Sequence, residues 1–336
     1  MRERVTILGD GAMGTVCAMM LAAGNHPVTI WGAFEATVQR LQQTRENARL
    51  LPGVKIPDSV RLTSVERDAF GEGASACTMV LCAVPTQYIR QTVSRVASFL
   101  PEGIPIVSVS KGIERETLLR PTQVLQQVCG EDRPVAVLSG PNIAAELARY
   151  LPGSAVAASE DQILARRVQV AMTTQWFRVY TNIDLLGVEI SGAIKNVIAL
   201  AAGMLDGLGA GNNAKAALLT RGLVEISRLG AAMGASASTF QGLAGLGDLV
   251  TTCVSPEGRN RQVGELLGRG KKLDDILRDM SSVAEGVHTT AAVRQLAESY
   301  GVEMPIVNQV YEVLFGQKDP IQALADLMGR GLKSES

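Results

Sequence analysis

Histidine is nearly absent: His26 and His288 are the only two among 336 residues. Histidine-based catalysis and zinc coordination therefore have little material, and a proton donor must be sought among other side chains. His26, before Pro27 at the entrance of a strand-like run, reads as a turn residue. Cysteine is sparse as well, and its five copies (Cys17, Cys77, Cys82, Cys129, Cys253) show no Cys-x-x-Cys spacing. Most lie in apolar runs, where a free thiol behaves as a small core residue, which argues for structural thiols over a redox role. Neither sign of charge dominates: Lys+Arg 32 against Asp+Glu 33 gives a formal net charge of −1. That excludes a globally basic nucleic-acid surface and a polyelectrolyte tail, so any phosphate recognition is local. Met1-Arg2-Glu3-Arg4 runs straight into a strand-like segment, which leaves no room for a signal peptide. The longest apolar stretch, about 190–210, is broken by Lys195, Asp206 and several glycines, as expected of a buried helix and not of a membrane span. A cytoplasmic location is the expectation.

What is present is a long chain with a generous apolar fraction, 46% against 19% charged, which suits two compact domains. Arg4-Val5-Thr6-Ile7-Leu8 and Pro27-Val28-Thr29-Ile30-Trp31 read as strands, with helical patterns over about 13–23 and 35–45. Thr78-Met79-Val80-Leu81-Cys82-Ala83-Val84 is continuously apolar, as a strand covered on both faces would be. Segments 104–109, 135–138 and 155–158 are further strand candidates, each followed by a helical stretch. This alternation predicts a mainly parallel sheet of right-handed β-α-β units. Beyond about residue 186 strand-like runs vanish, and Leu218, Leu219, Leu223, Ile226 and Leu229 recur at helical spacing.

The first predicted strand leads into Gly9-Asp10-Gly11-Ala12-Met13-Gly14, a G-x-G-x-x-G turn placed between strand and helix, the context that a dinucleotide-binding turn requires. The predicted fold class is therefore α/β: a Rossmann-type dinucleotide-binding domain over 1–187, then an all-helical substrate and catalytic domain over 188–332. An acid that would hold a ribose hydroxyl is not evident after the second strand, where Gly32, Ala33 and Phe34 follow Trp31 and Glu35 comes late. No basic residue directly follows Trp31 either, so NAD and NADP both stay open. Pro85 stiffens the loop after the apolar strand. Lys111 stands at the carboxyl end of the next strand, the binding edge of open α/β sheets. Ser139-Gly140-Pro141-Asn142 ends another strand, and Asn142 either serves a ligand or caps a helix.

In the second half Lys195 sits in the apolar run Gly192-Ala193-Ile194-Lys195-Asn196-Val197-Ile198 and needs a partner, because an unpaired buried ammonium is costly. Asp248, in the glycine-studded turn Gly242-Leu243-Ala244-Gly245-Leu246-Gly247-Asp248-Leu249, and the segment Gly258-Arg259-Asn260-Arg261 offer the rest of an anionic-substrate site. Against this stand plainer readings: Lys195 snorkelling from a helix, Asp248 as an N-cap, Arg261 as a solvated neighbour. Arg221 fits a phosphate contact or a cross-helix pair equally.

Ser110-Lys111-Gly112-Ile113, Ser139-Gly140-Pro141, Gly192 to Asn196, Thr220-Arg221-Gly222, Gly242 to Leu249 and Arg259-Asn260-Arg261, in this order, resemble the bacterial-type NAD(P)-dependent glycerol-3-phosphate dehydrogenases over nearly the whole chain. The resemblance implies reversible reduction of dihydroxyacetone phosphate to sn-glycerol 3-phosphate for glycerophospholipid synthesis, with NAD or NADP and no metal. Carried over by position, Lys195, Lys111 and Asp248 are catalytic. The substrate set adds Gly140, Asn142, Gly258, Arg259 and Asn260. The cofactor set is Gly9, Gly11, Ala12, Met13 and Gly14 with Ala33 and Pro85, then Lys111, Ala144, Arg259, Val283 and Glu285. The chemistry agrees: hydride delivery builds charge on a ketone oxygen, and a lysine with lowered pKa can meet it with a proton. Departures from the family pattern are Ala12 and Met13 in the turn, Ala33 after the second strand, Asn142, and Gly258 before the arginine. They trim side-chain contacts to ligand and spare the lysine pair. A ketopantoate-type reductase and a non-catalytic nucleotide sensor are the competing readings. The partner expected is a phosphorylated triose and no nucleic acid. The apolar composition of the helical half is compatible with a homodimer.

Overall fold

The computed structural model describes residues 2–280, 283–332 and 334. Eight strands form one sheet: β1 Val5–Leu8, β2 Val28–Trp31, β3 Arg61–Thr63, β4 Met79–Cys82, β5 Ile106–Ser108, β6 Val135–Ser139, β7 Gly153–Ala158 and β8 Phe177–Asn182. Their order is β3-β2-β1-β4-β5-β6-β7-β8. Neighbours are parallel except β6 and β7, so β7 and β8 run against the rest. β1, β4 and β6 are buried along their whole length, which is why their sequences are apolar without alternation. The order reverses between β1 and β4, and ligands of such sheets bind outside the carboxyl ends of the strands at that point.

Helices on the sheet half are α1 Ala12–Ala23, α2 Glu35–Thr44, α3 Ile89–Ser94, α4 Pro121–Cys129, α5 Ala144–Ala148 and α6 Gln162–Met172. Among the described residues that follow, the regular structure is helical: α7 Leu185–Gly207, α8 Gly211–Ala232, α9 Ala237–Gln241, α10 Asp248–Val254, α11 Arg259–Gly268, α12 Leu273–Asp279, α13 Glu285–Ser299, α14 Pro305–Phe315 and α15 Pro320–Met328. The mainly parallel sheet followed by helices is the predicted fold class. Two strands escape the sequence reading. β3 has three residues, too few for a period to show. β8 alternates buried Phe177 and Val179 with exposed Arg178 and Tyr180, the pattern of an edge strand and not of the fully buried runs that mark its neighbours.

α7 is the axis of the helical half. Its apolar window is long enough to cross a membrane by composition, yet 89% of it is buried inside the fold. Leu185 and Val188 at its start join a cluster with Val135, Val137 and Val156 of the sheet, so α7 belongs to both halves. Glu189, one turn in, fixes the junction: Oε1 accepts the Thr122 N–H at 2.9 Å, Oε2 accepts the Thr122 hydroxyl at 2.7 Å, and Arg120 pairs with it at the start of α4. At the other end, α11 lies backbone-to-backbone on α7. A Cβ at Gly203 would fall 2.0 Å from the Arg261 carbonyl, and one at Gly264 would fall 2.0 Å from the Leu200 carbonyl. Any larger residue would wedge the helices apart. That close contact sets the first turn of α11 beside the middle of α7.

Candidate active site

Lys195 projects from the middle of α7, 5% exposed. Its ammonium donates to Asp248 Oδ1 at 2.6 Å and to the Thr252 hydroxyl at 2.6 Å. The other oxygen of the same carboxylate, Asp248 Oδ2, accepts from Lys111 at 2.8 Å. One buried acid thus joins a lysine of the helical half to a lysine of the sheet edge. Snorkelling is ruled out for Lys195. Asp248 is the first residue of α10, entered through a π-helical turn over Leu243–Gly247 instead of a loop. Its carboxylate faces the lysines and caps no helix. Thr252, one turn on and on the same face, closes the set by donating to the Asp248 carbonyl at 2.7 Å. The i, i+4 spacing of Asp248 and Thr252 was the signal for it.

The two lysines differ in what they have left to give. An ammonium has three donors. Lys111 uses them on Asp248, on the Gly140 carbonyl at 3.0 Å and on Asn142 Oδ1 at 2.7 Å. Lys195 uses two and retains one. Burial pushes its pKa down from the usual lysine value to about 8, opposed by Asp248 and reinforced by the Lys111 charge. Gly140 has φ +149°, and a Cβ there would strike Ala155 Cα at 2.8 Å, so only glycine turns its carbonyl onto Lys111.

A relay of amides locks this arrangement. Asn196 donates to the Lys111 carbonyl at 3.0 Å, Asn260 donates to Asn196 Oδ1 at 3.0 Å, and the Gly286 N–H donates to Asn260 Oδ1 at 2.9 Å. Asn260 is 7% exposed. The sequence reading gave it a direct grip on phosphate; the fold commits its oxygen and one N–H to holding α7, α11 and α13 together. Arg259 is exposed at the start of α11 and donates to the Val283 carbonyl at 3.1 Å. Gly258 precedes α11 with no side-chain bond to the first turn, so those N–H groups stay open to an anion. Arg261 instead pairs with Asp206 at 2.6 Å, and Arg221 is exposed on α8.

The glycine turn occupies the other end of the crevice. From the end of β2 to the end of β6 is four strand intervals, about 19 Å at about 4.8 Å each. Gly9 has φ +114° and its missing Cβ would touch the Ala83 carbonyl at 2.9 Å, while a Cβ at Gly14 would meet the Gly9 carbonyl at 2.1 Å. Gly11 is different: nothing lies within 4 Å of its Cβ position, and no side chain caps α1. An open cradle backed by free helix N–H groups fits a pyrophosphate. Ala12 and Met13 form the first turn and pack on the sheet core, and Ala33 lies beyond the end of β2. Nearer the lysines, Pro85 leads into Thr86, whose N–H donates to Glu285 Oε1 at 3.0 Å. Burial pushes the Glu285 pKa up to about 6, and its Oε2 is buried with no hydrogen-bond partner among the described residues, an acceptor or donor open to a polar ligand group. Ala144 opens α5 just past Asn142.

Comparison with known proteins agrees in each half. Residues 4–165 match the N-terminal and residues 184–325 the C-terminal family model described as NAD-dependent glycerol-3-phosphate dehydrogenase. A curated glycerol-3-phosphate dehydrogenase (NAD(P)+) of Geobacter sp. (strain M21) is 47% identical, covering 100% of this chain and 99% of that protein. That of Geobacillus kaustophilus (strain HTA426) is 46% identical, covering 99% and 96%. The crystal structure of glycerol-3-phosphate dehydrogenase from Coxiella burnetii superposes with a TM-score of 0.92 at 34% identity, covering 98% of this chain and 99% of that one. Matched in both halves and over its whole length, the chain belongs to the NAD-dependent glycerol-3-phosphate dehydrogenase family.

Proposed function

We propose that this chain interconverts dihydroxyacetone phosphate and sn-glycerol 3-phosphate with NAD(H) or NADP(H), the entry to glycerophospholipid synthesis. The observation that carries the reading is the single buried carboxylate of Asp248 shared by Lys195 and Lys111. When bound, the nicotinamide supplies the hydride in reduction and takes it in oxidation. Gly9, Gly11 and Gly14, with the backbone of Ala12 and Met13, would hold its pyrophosphate, and Ala33 would border its adenosine end. Pro85, Ala144, Val283 and Glu285 would line the nicotinamide end.

Lys195 is the general acid: its unspent N–H points the proton at the oxygen on which charge develops. Lys111, with every donor engaged, holds its charge still beside that oxygen and costs no reorganisation during the reaction. Gly140 and Asn142 fix Lys111, and Asp248 keeps both ammonium groups in place. Arg259 and the open N-terminus of α11 behind Gly258 receive the substrate phosphate. Asn260 positions that turn and retains one N–H for the same anion. A cytoplasmic location belongs to this reading, supported by five free and mostly buried cysteines.

Purified protein should oxidise NADH or NADPH when dihydroxyacetone phosphate is added, read as loss of nicotinamide absorbance. A protein that binds either dinucleotide but turns over no phosphorylated triose would end the proposal and favour a nucleotide sensor. Turnover of a branched keto acid alone would favour the ketopantoate-type reductase.

A further inference from the structure

No basic residue directly follows Trp31 in sequence, yet the fold delivers one to the end of β2. Arg95, just past α3, lays its guanidinium 5.1 Å from the centroid of the Trp31 ring. Its Nη1 donates to the Ala33 carbonyl at 2.9 Å and its Nη2 to Glu66 Oε1 at 2.7 Å. Ala33 lies just beyond β2, where sheets of this order read the adenosine ribose of a dinucleotide. The alanine contributes only a methyl group, which leaves space where a larger side chain would stand. The Arg95 side chain is 43% exposed. Of the five N–H donors of a guanidinium, three remain uncommitted.

We propose that Arg95 grips the 2′-phosphate of NADP(H) and is the residue that decides coenzyme preference, with Glu66 as its counterweight. The inference rests on the dehydrogenase reading above. A guanidinium fork matches a phosphate in two contacts. The aromatic face of Trp31 and the Ala33 carbonyl hold the fork ready, so little rotamer freedom is lost on binding. Glu66 is the opposing charge: its carboxylate is held below the usual range by its bond to Arg95, repels a phosphate, and accepts a ribose hydroxyl. A second acid at this edge, Asp10, does not compete in the same way. It lies under Gly32, where a Cβ would fall 2.6 Å from its Oδ2, and burial pushes its pKa up. Arg49 lies near Asp10 and is exposed, which makes it the rival cation.

The test is calorimetric titration of the intact protein with NADPH and with NADH, for the wild type and for Arg95→Ala, Arg95→Lys, Glu66→Gln and Arg49→Ala, each checked for an unchanged thermal midpoint. Arg95→Ala should weaken NADPH by about ten- to a hundredfold while moving NADH far less. Arg95→Lys should recover part of the loss, and Glu66→Gln should shift the ratio of affinities toward NADPH. A ratio unchanged to within about twofold in Arg95→Ala overturns the assignment, as does a loss that follows Arg49→Ala instead. Wild-type protein that binds neither dinucleotide would overturn the dehydrogenase reading itself, and this inference with it.

Discussion

The sheet half and the helical half line one crevice by opposite means. On the sheet side the glycine turn contributes shape and backbone: Gly11 has open space around it and the first turn of α1 carries no side-chain cap. On the helical side almost everything is side chain, and the charged groups are tied together: Asp248 binds Lys195 and reaches across to Lys111 of the sheet edge, and Lys195 also donates to Thr252. The difference follows from what each end must do. A pyrophosphate is large and already charged, so a cavity and fixed N–H groups suffice. A proton must be placed on one oxygen at one moment, which demands a titratable group held within a few tenths of an ångström. Side-chain changes at the helical end should therefore abolish chemistry, and changes at the sheet end should tune affinity.

The largest expected effect is at Lys195. Lys195→Ala should lower kcat for dihydroxyacetone phosphate reduction by about 10²- to 10⁴-fold, the usual worth of a general acid. Dinucleotide affinity measured by titration should change little. Steady-state rates together with a dinucleotide titration check this. A variant retaining wild-type kcat would break the contrast between the halves.

Next comes the pH response. Lys195 titrates at about 8 because burial disfavours its charge. With Lys195 as the proposed general acid, reduction needs the protonated amine, so kcat/KM for the ketone should be level below about pH 8 and fall about tenfold per unit above it. Oxidation of glycerol 3-phosphate needs the neutral amine, so its kcat/KM should rise through the same window and level above it. Profiles in both directions, with the dinucleotide saturating, read the two limbs. If both bend the same way at pH 8, another group controls the reaction.

The sheet was legible where strands are buried on both faces, as in Thr78 to Val84, and illegible where they are short or half exposed, as in β3 and β8. Lys195 and Asp248 stood out because a lysine in an apolar run cannot remain unpaired. That they pair with each other, 53 residues apart in sequence, is a property of the α7–α10 packing. The commitment of Asn260 to Asn196 depends likewise on α11 lying against α7 through Gly203 and Gly264. Arg95 reaches Ala33 across 62 residues of sequence. Its neighbours in the chain carry no mark of a binding site, so nothing local could have pointed to it.

The smallest effect sharpens the comparison most, because it separates binding from folding within one motif. Gly11 has φ −75° and ψ −178°, an extended backbone that alanine adopts freely, and its Cβ would meet nothing within 4 Å. Gly11→Ala should therefore change the stability of the fold by less than about 1 kcal/mol, the lower entropy of the unfolded chain being set against the poorer fit of alanine at the N-cap of α1. In the proposed site the same methyl group would stand where the pyrophosphate approaches, and dinucleotide affinity should drop by about tenfold or more. Gly14→Ala gives the opposite pattern, since its Cβ would lie 2.1 Å from the Gly9 carbonyl and must push α1 off the sheet. Denaturant unfolding and dinucleotide titration of the two variants decide the matter. If Gly11→Ala binds NADH and NADPH as tightly as the wild type, the open space at Gly11 is not the pyrophosphate site, and shape is not what the sheet end contributes.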